Sequence, residues 1–394
     1  MNPIATLHSA IQNDRSKQKE LIENFLDTHR FPLIAPQQAT FFYWSMDLVD
    51  AVFIKHAIHG LETQQEMERI SGTNAFWLTI NLPDEARIEY QYILRKGGTD
   101  LLTTDPHNPN SVERIHVEQG SHQSNASHQE KSVCTMAGYQ TPEWTQPNDN
   151  FRPGTIEHIE FFSEIFSDTR TMEIYLPNEH QEHKRYPLLI CLDGEDYCSY
   201  SGMRTVLDNL MGANEMLPTI VVFINATDRN REFAANPLYA QFLSTEVLKH
   251  IEGRYNIHKS PDQRAIMGVG LGAIAALYTT WRHPHVFEKV LLQSGRFLFT
   301  DIGDHGLGDD WSPMVNFVNS IRETPVLPKS IYLSCGVFDE MIYYNRTMAH
   351  IWEREPVHFR YVESKDGHNW LAWRDRLREG LTWIFPGHLR MIYN

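Results

Sequence analysis

The stretch AIMGVGLGAIAALY, Ala265 to Tyr278, decides the fold, because it supports two incompatible readings. Gly268-Val269-Gly270-Leu271-Gly272-Ala273 satisfies the dinucleotide fingerprint G-x-G-x-x-[G/A] between an apolar run and a helical pattern. The same residues fit a G-x-S-x-G nucleophile elbow in which Gly270 stands where the serine belongs. A dinucleotide loop belongs in the first strand-to-helix turn of its domain, with an acidic residue about 20 positions on for the ribose hydroxyls. Here several strand patterns precede the loop. The next one, KVLLQS, ends in Gln293 and Ser294, and Glu288 lies at its wrong end. The nucleotide reading fails on context, and no cofactor is expected.

The elbow reading demands an acid and then a histidine further along the chain. SIYLSCGVFDEM supplies Asp339 just after a strand and a glycine turn, and YVESKDGHNWLAWRDRL supplies His368 on a loop before a terminal helix. Singly, each is as well read as an ordinary turn or loop residue. Order and context together make them the acid and base of a triad, which is recognised by roles. LLICLDGEDY puts Gly194 and Glu195 at a strand end, where a backbone N–H suits an oxyanion hole. Leu271, directly after the nucleophile position, supplies the second N–H.

Working outward, TMEIYL, YPLLICLDG, TIVVFINA, AIMGVG, KVLLQSG, SIYLSCG and VHFRYVE alternate with helical patterns from about Arg152 onward. Continuous apolar strands between helices predict a mostly parallel sheet covered on both faces, with functional loops at the carboxyl ends of its strands. Before it, a helical segment near the start is followed by the short alternating runs ATFFYW, DAVFIKHAI, AFWLTINL and ARIEYQYIL, the pattern of a small all-β sandwich. Between the two lies a polar stretch containing EQGSHQSNASHQEKS, which reads as an exposed connector. The expected domains are therefore 1–115 (helix plus sandwich), 116–151 (linker) and 152–394 (α/β). His116, His122 and His128 fall in or beside the connector without carboxylate or thiolate partners, so no metal site is expected. The sequon at Asn125 carries meaning only in a secreted chain.

Composition narrows the function. The chain has 394 residues, 41% hydrophobic and 22% charged, as in an ordinary globular protein long enough for two domains. A net charge of −15 argues against nucleic acid as a partner, although a local basic cleft can still receive a small anion. Neither a signal-peptide pattern nor an apolar run of spanning length is apparent, which predicts a cytoplasmic protein without a membrane partner. Cys134, Cys191, Cys198 and Cys335 are widely spaced and read as reduced core thiols.

These residues carry a resemblance. The chain resembles the enterochelin esterases, a branch of the esterase D-like α/β-hydrolases that open ferric siderophore esters in the bacterial cytoplasm. The match rests on CLDGEDY, DRNREFAAN, GVGLGAIAALYTTWRHPHVFEKVLLQSG, CGVFDE and DGHNWLAWRDRL, and on the N-terminal stretches ATFFYW, MERISGTNAFWLTINL, ARIEYQYIL and TDPHNPN. It implies an α/β-hydrolase domain preceded by an immunoglobulin-like sandwich. The implied partner is a small-molecule ester, a ferric catecholate siderophore. The implied substrate contacts are Arg229, Glu232, Arg296 and Trp373, although Arg229 and Glu232 read equally well as an i,i+3 surface pair. Two departures stand out. RFLFTDIGDHGLGDDW replaces the family's aromatic stretch after QSG, and Gly270 replaces its serine. With no nucleophilic oxygen, the chain is expected to be an inactive or impaired esterase. The alternatives are a non-catalytic pseudo-esterase that binds or regulates, and a carboxylesterase on sugar or polyphenol esters.

Overall fold

Every residue of strands Leu188–Leu192, Ile220–Ile224 and Arg264–Val269 is buried in the computed structural model, which describes residues 3–112, 130–301 and 304–388. Such runs form only where both faces of a sheet are covered. They sit in the middle of an eight-stranded sheet whose spatial order is Thr155–Ser163, Asp168–Leu176, Ile220–Ile224, Leu188–Leu192, Arg264–Val269, Lys289–Gln293, Ser330–Gly336 and His358–Ser364. The first two strands enter antiparallel and the remaining six run parallel. One face is covered by helices that include Leu271–Arg282, Ser312–Glu323 and Ile342–Trp352, the other by Met203–Gly212 and Trp370–Ile384. Thr155–Ser163 was not among the strands expected from the sequence. Lying at the sheet edge, it buries only alternate residues near its end.

The N-terminal part is a sandwich of two antiparallel sheets. One orders Leu33–Ala35, Gln38–Trp44, Ala75–Asn81 and Glu68–Arg69. The other orders Gln64–Glu66, Ala51–His56, Arg87–Lys96 and Thr99–Thr103. Phe41, Val52, Ile54, Phe76 and Tyr90 interdigitate between the two. The opening helical pattern resolves into two helices, Pro3–Asn13 and Gln18–Thr28, broken where the Asp14 carboxylate accepts the Ser16 N–H. They pack Ile4, Leu7 and Phe25 against Phe42 on the outer face of the first sheet.

Part of the stretch read as an exposed connector is ordered structure. Ser132–Thr135 is a strand that pairs antiparallel with Arg87–Lys96, with Ser132, Val133 and Cys134 buried. Four residues flanked by polar chain give too short an alternation to be read as a strand. His116, Asn125, His122 and His128 lie outside the described residues. The four cysteines are free and buried. Among the described residues, no helix is long and apolar enough to cross a membrane.

Candidate active site

Strand Arg264–Val269 ends at Gly270, and helix Leu271–Arg282 begins at the next residue. Gly270 makes the sharp turn with φ 55° and ψ −113°, a conformation that strains any residue with a Cβ. The flanking glycines are required by packing. A Cβ on Gly268 would overlap the backbone of Gly272, and one on Gly272 would press on Asp193 Oδ2 at 3.2 Å. The turn therefore has the sharp strand-to-helix shape of an elbow, with no side chain at its centre. A Cβ on Gly270 would meet only the His368 ring, standing 3.8 Å from Cε1 and 3.8 Å from Nε2. A side-chain oxygen one bond further would fall within hydrogen-bond reach of Nε2.

The structure brings Asp339 and His368 together. His368 Nδ1 lies 3.1 and 3.0 Å from the two carboxylate oxygens of Asp339, which is itself fully buried. Burial would push the Asp339 carboxyl up. The His368 hydrogen bond and charge, the Ser294 hydroxyl and the Met341 N–H outweigh burial and hold it below the ordinary carboxylate range. An ionised acid fixes Nδ1 as the protonated ring nitrogen and leaves Nε2 to face Gly270 as a base. Trp373 meets the His368 ring edge-on at 4.8 Å and donates its Nε1–H to Ser294 Oγ at 2.8 Å. Only 7% exposed, Trp373 buttresses the histidine and offers little surface to a substrate.

The two residues expected to form an oxyanion hole fare differently. Leu271 opens the helix, where the geometry leaves first-turn N–H groups without intrahelical acceptors. Glu195 instead donates its N–H to Asn225 Oδ1 at 3.2 Å, because strands Leu188–Leu192 and Ile220–Ile224 end side by side. A substrate oxygen at Glu195 would have to displace that side chain.

Arg229 and Glu232 form no pair with each other. Arg229 makes a two-pronged contact with Asp193, at 2.8 Å on each oxygen, and reaches the Val269 carbonyl. Asp193 sits in the left-handed region at φ 54° directly before helix Gly194–Ser201, so this contact ties one strand-end turn to the elbow. Glu232 is 5% exposed and paired with Arg170 at 2.8 and 3.0 Å, on strand Asp168–Leu176. Glu232, expected to line the substrate cleft, is held by this pair: a carboxylate needs a cation to be buried, and Arg170 provides one. Arg296 stands beside the same turn. Its N–H donates to the Gly270 carbonyl at 3.0 Å, its guanidinium lies 5.1 Å over Trp311, and its Nε is buried without a hydrogen-bond partner among the described residues.

Beside His368 an open cleft lies between the sandwich and the α/β domain, lined by Ile58, Ile88 and Tyr90 on one side and Phe338, His368 and Asn369 on the other. Sequence reasoning missed several residues that hold this site. Gln293 accepts from the Tyr197 hydroxyl, donates to the Trp373 carbonyl and receives the Gly270 N–H on its own carbonyl. Asn345 both donates to and accepts from the backbone of Gly295. The QSG motif held that signal, for a buried glutamine at a strand end requires partners.

Comparison with known proteins bears on the same residues. Residues 163–384, more than half of the chain, match the Esterase family, described as "Putative esterase". An Iron(III) enterobactin esterase of Dickeya dadantii is 27% identical over 58% of this chain, and the chain spans about half of that relative, 54%. The protein of the same description from Escherichia coli O6:H1 is 25% identical over 82% of each chain. The crystal structure of the ferric enterobactin esterase of Salmonella typhimurium aligns with a TM-score of 0.73 over 94% of this chain and 100% of that one, at 19% identity. That likeness carries the fold: an α/β-hydrolase domain preceded by a β domain.

Proposed function

Because the chain belongs to the Esterase family, we propose that it is an enterochelin esterase-type protein whose site receives a ferric catecholate ester and whose covalent step is disabled at Gly270. The observation that supports this reading is the Cβ position at Gly270, 3.8 Å from both Cε1 and Nε2 of His368, with no other residue beyond its chain neighbours within 4 Å among the described residues. In this reading Asp339 orients His368, Leu271 offers an N–H to the ester oxygen, and Arg296 answers the negative charge of the ligand. The relatives described as iron(III) enterobactin esterases favour that ester class over sugar or polyphenol esters. Cytoplasmic action belongs to the same reading.

Without a nucleophilic oxygen no acyl-enzyme forms, and what remains is at most the ~10³–10⁴-fold over water left when a triad member is removed. Gly270→Ser is expected to restore hydrolysis of a ferric catecholate trilactone, followed by mass analysis of the products, and adding His368→Ala is expected to abolish it. No gain by the serine variant, with tight binding retained, would leave a non-catalytic binding protein. Gly270 itself favours this second reading.

A further inference from the structure

We propose that the β-sandwich is a positioning element for the Asp339–His368 pair, and that Arg87 is the residue through which it holds the histidine loop. The two loops are first tied to each other. The Val337 N–H donates to the Ser364 carbonyl at 2.9 Å and the Phe338 N–H to the Asp366 carbonyl at 3.0 Å. Gly336 permits this approach, since a Cβ there would overlap the Asp366 carbonyl. The joined loops are then fastened to the sandwich. The His59 N–H donates to the carbonyl of Phe338, the residue before Asp339, at 2.8 Å, and the Phe338 side chain packs on the sandwich core. On the histidine side, the Arg87 N–H donates to the Lys365 carbonyl at 3.2 Å. Its guanidinium donates to the Asp366 carboxylate and, at 3.2 Å, to Asn369 Oδ1. Asp366 in turn accepts from the Gly367 N–H and from Asn369 Nδ2, and Asn369 Oδ1 caps helix Trp370–Ile384 at the Ala372 N–H. His368 lies in the middle of this run.

Stability alone does not account for Arg87. Its side chain is 2% exposed, and Nε and Nη1 are buried without hydrogen-bond partners among the described residues. A buried, incompletely satisfied ion pair stabilises a fold no better than a well-packed apolar pair of similar volume. What the pair adds is geometry: two charge-assisted contacts fix both flanks of one histidine. Burial pushes the Asp366 carboxyl up against the pull of Arg87, so the carboxylate depends on this cation.

The catalytic consequence rests on the esterase reading above, but the positioning role has a readout independent of turnover. The Nδ1 proton between His368 and Asp339 is expected to give a downfield proton resonance in the chain as it stands, to be assigned by its loss in His368→Ala. Arg87→Met is expected to broaden or remove that resonance while circular dichroism stays native, and Arg87→Lys, which keeps the charge, is expected to retain it in part. In the Gly270→Ser background, Arg87→Met is expected to lower kcat by about 10²-fold at unchanged KM, the scale of a small misplacement of a catalytic group. If Arg87→Met fails to fold, the double variant Arg87→Met, Asp366→Leu removes the unpaired charge, and its resonance is read instead. An unchanged His368 resonance in a folded variant would overturn the proposal. Absence of turnover by Gly270→Ser with the resonance responding as expected would sink the esterase reading and leave the clamp standing.

Discussion

At Gly270 two demands on one residue point in opposite directions. A φ of 55° with ψ −113° costs a residue bearing a Cβ about 1–3 kcal/mol, a cost that glycine avoids. Chemistry asks for an oxygen at the same place. Gly270→Ser is therefore expected to lower unfolding stability by about 1–3 kcal/mol in urea titrations while it gains hydrolysis, as stability–activity opposition requires. A serine variant more stable than the parent would mean that the elbow relaxes when its side chain is changed. Asp339 contributes to the pH dependence of stability. Its folded pKa lies below the unfolded value, so the unfolded state binds more protons and stability rises with pH through this window. The contribution is complete above the ordinary aspartate value of about 3.9 and is lost as pH falls through the lower folded value. Asp339→Asn should accordingly be less stable than the parent near neutrality, with the gap closing as the medium is acidified below that value. Parallel stability curves for the two proteins down the acid limb would count against an ionised Asp339 in the fold.

The strand-to-helix turn at Gly268–Gly272 leaves little room for added atoms. Gly268 faces the backbone of Gly272, which cannot yield, whereas Gly272 faces a carboxylate oxygen and the edge of Phe233. Gly268→Ala should then lower the thermal midpoint more than Gly272→Ala, with an overpacking cost of about 1–3 kcal/mol or more. The helix that follows Asp228 is held by a different device, the burial of Glu232 against Arg170. Removing one partner of such a pair costs about 3–5 kcal/mol. Glu232→Ala should therefore act through stability, read by denaturant titration, and leave ligand affinity in the folded fraction unchanged. A selective loss of affinity would return Glu232 to the substrate cleft. The contrast between these elements shows what a sequence discloses. Gly270, Asp339 and His368 were legible because each follows an apolar strand at a turn, in an order that chemistry constrains. The partners of Arg229 and Glu232 were not, since they lie 36 and 62 residues away and nothing in the local spacing names them. The i,i+3 spacing of those two residues pointed to a pair that the tertiary charges override. Ser132–Thr135 escaped because its pairing with Arg87–Lys96 is set by a sheet, not by its own short pattern.

Across the whole molecule, the sandwich and the α/β domain share contacts that neither can satisfy alone. Arg87 and Asp366 are 279 residues apart in sequence and buried together, and the Tyr139 hydroxyl donates to the Asp375 carboxylate at 2.6 Å. Phe338 belongs by sequence to the α/β domain and packs on the sandwich core. Separating the halves would expose that ring, strand Asp366 without its cation and leave the His368 loop fastened at one side only. Domains joined by small polar interfaces move and melt independently, whereas burial of charged and aromatic groups across the boundary couples them. Calorimetry of the intact chain is expected to give one transition with agreement between the calorimetric and van't Hoff enthalpies. Tyr139→Phe removes one hydrogen bond to a charged group, about 1.5–3 kcal/mol, and should lower that single transition without splitting it. Two resolved transitions in the parent would show that the domain boundary transmits little. They would also predict that the His368 loop keeps its geometry when the sandwich has melted, so coupled unfolding and loop positioning stand on the same buried contacts.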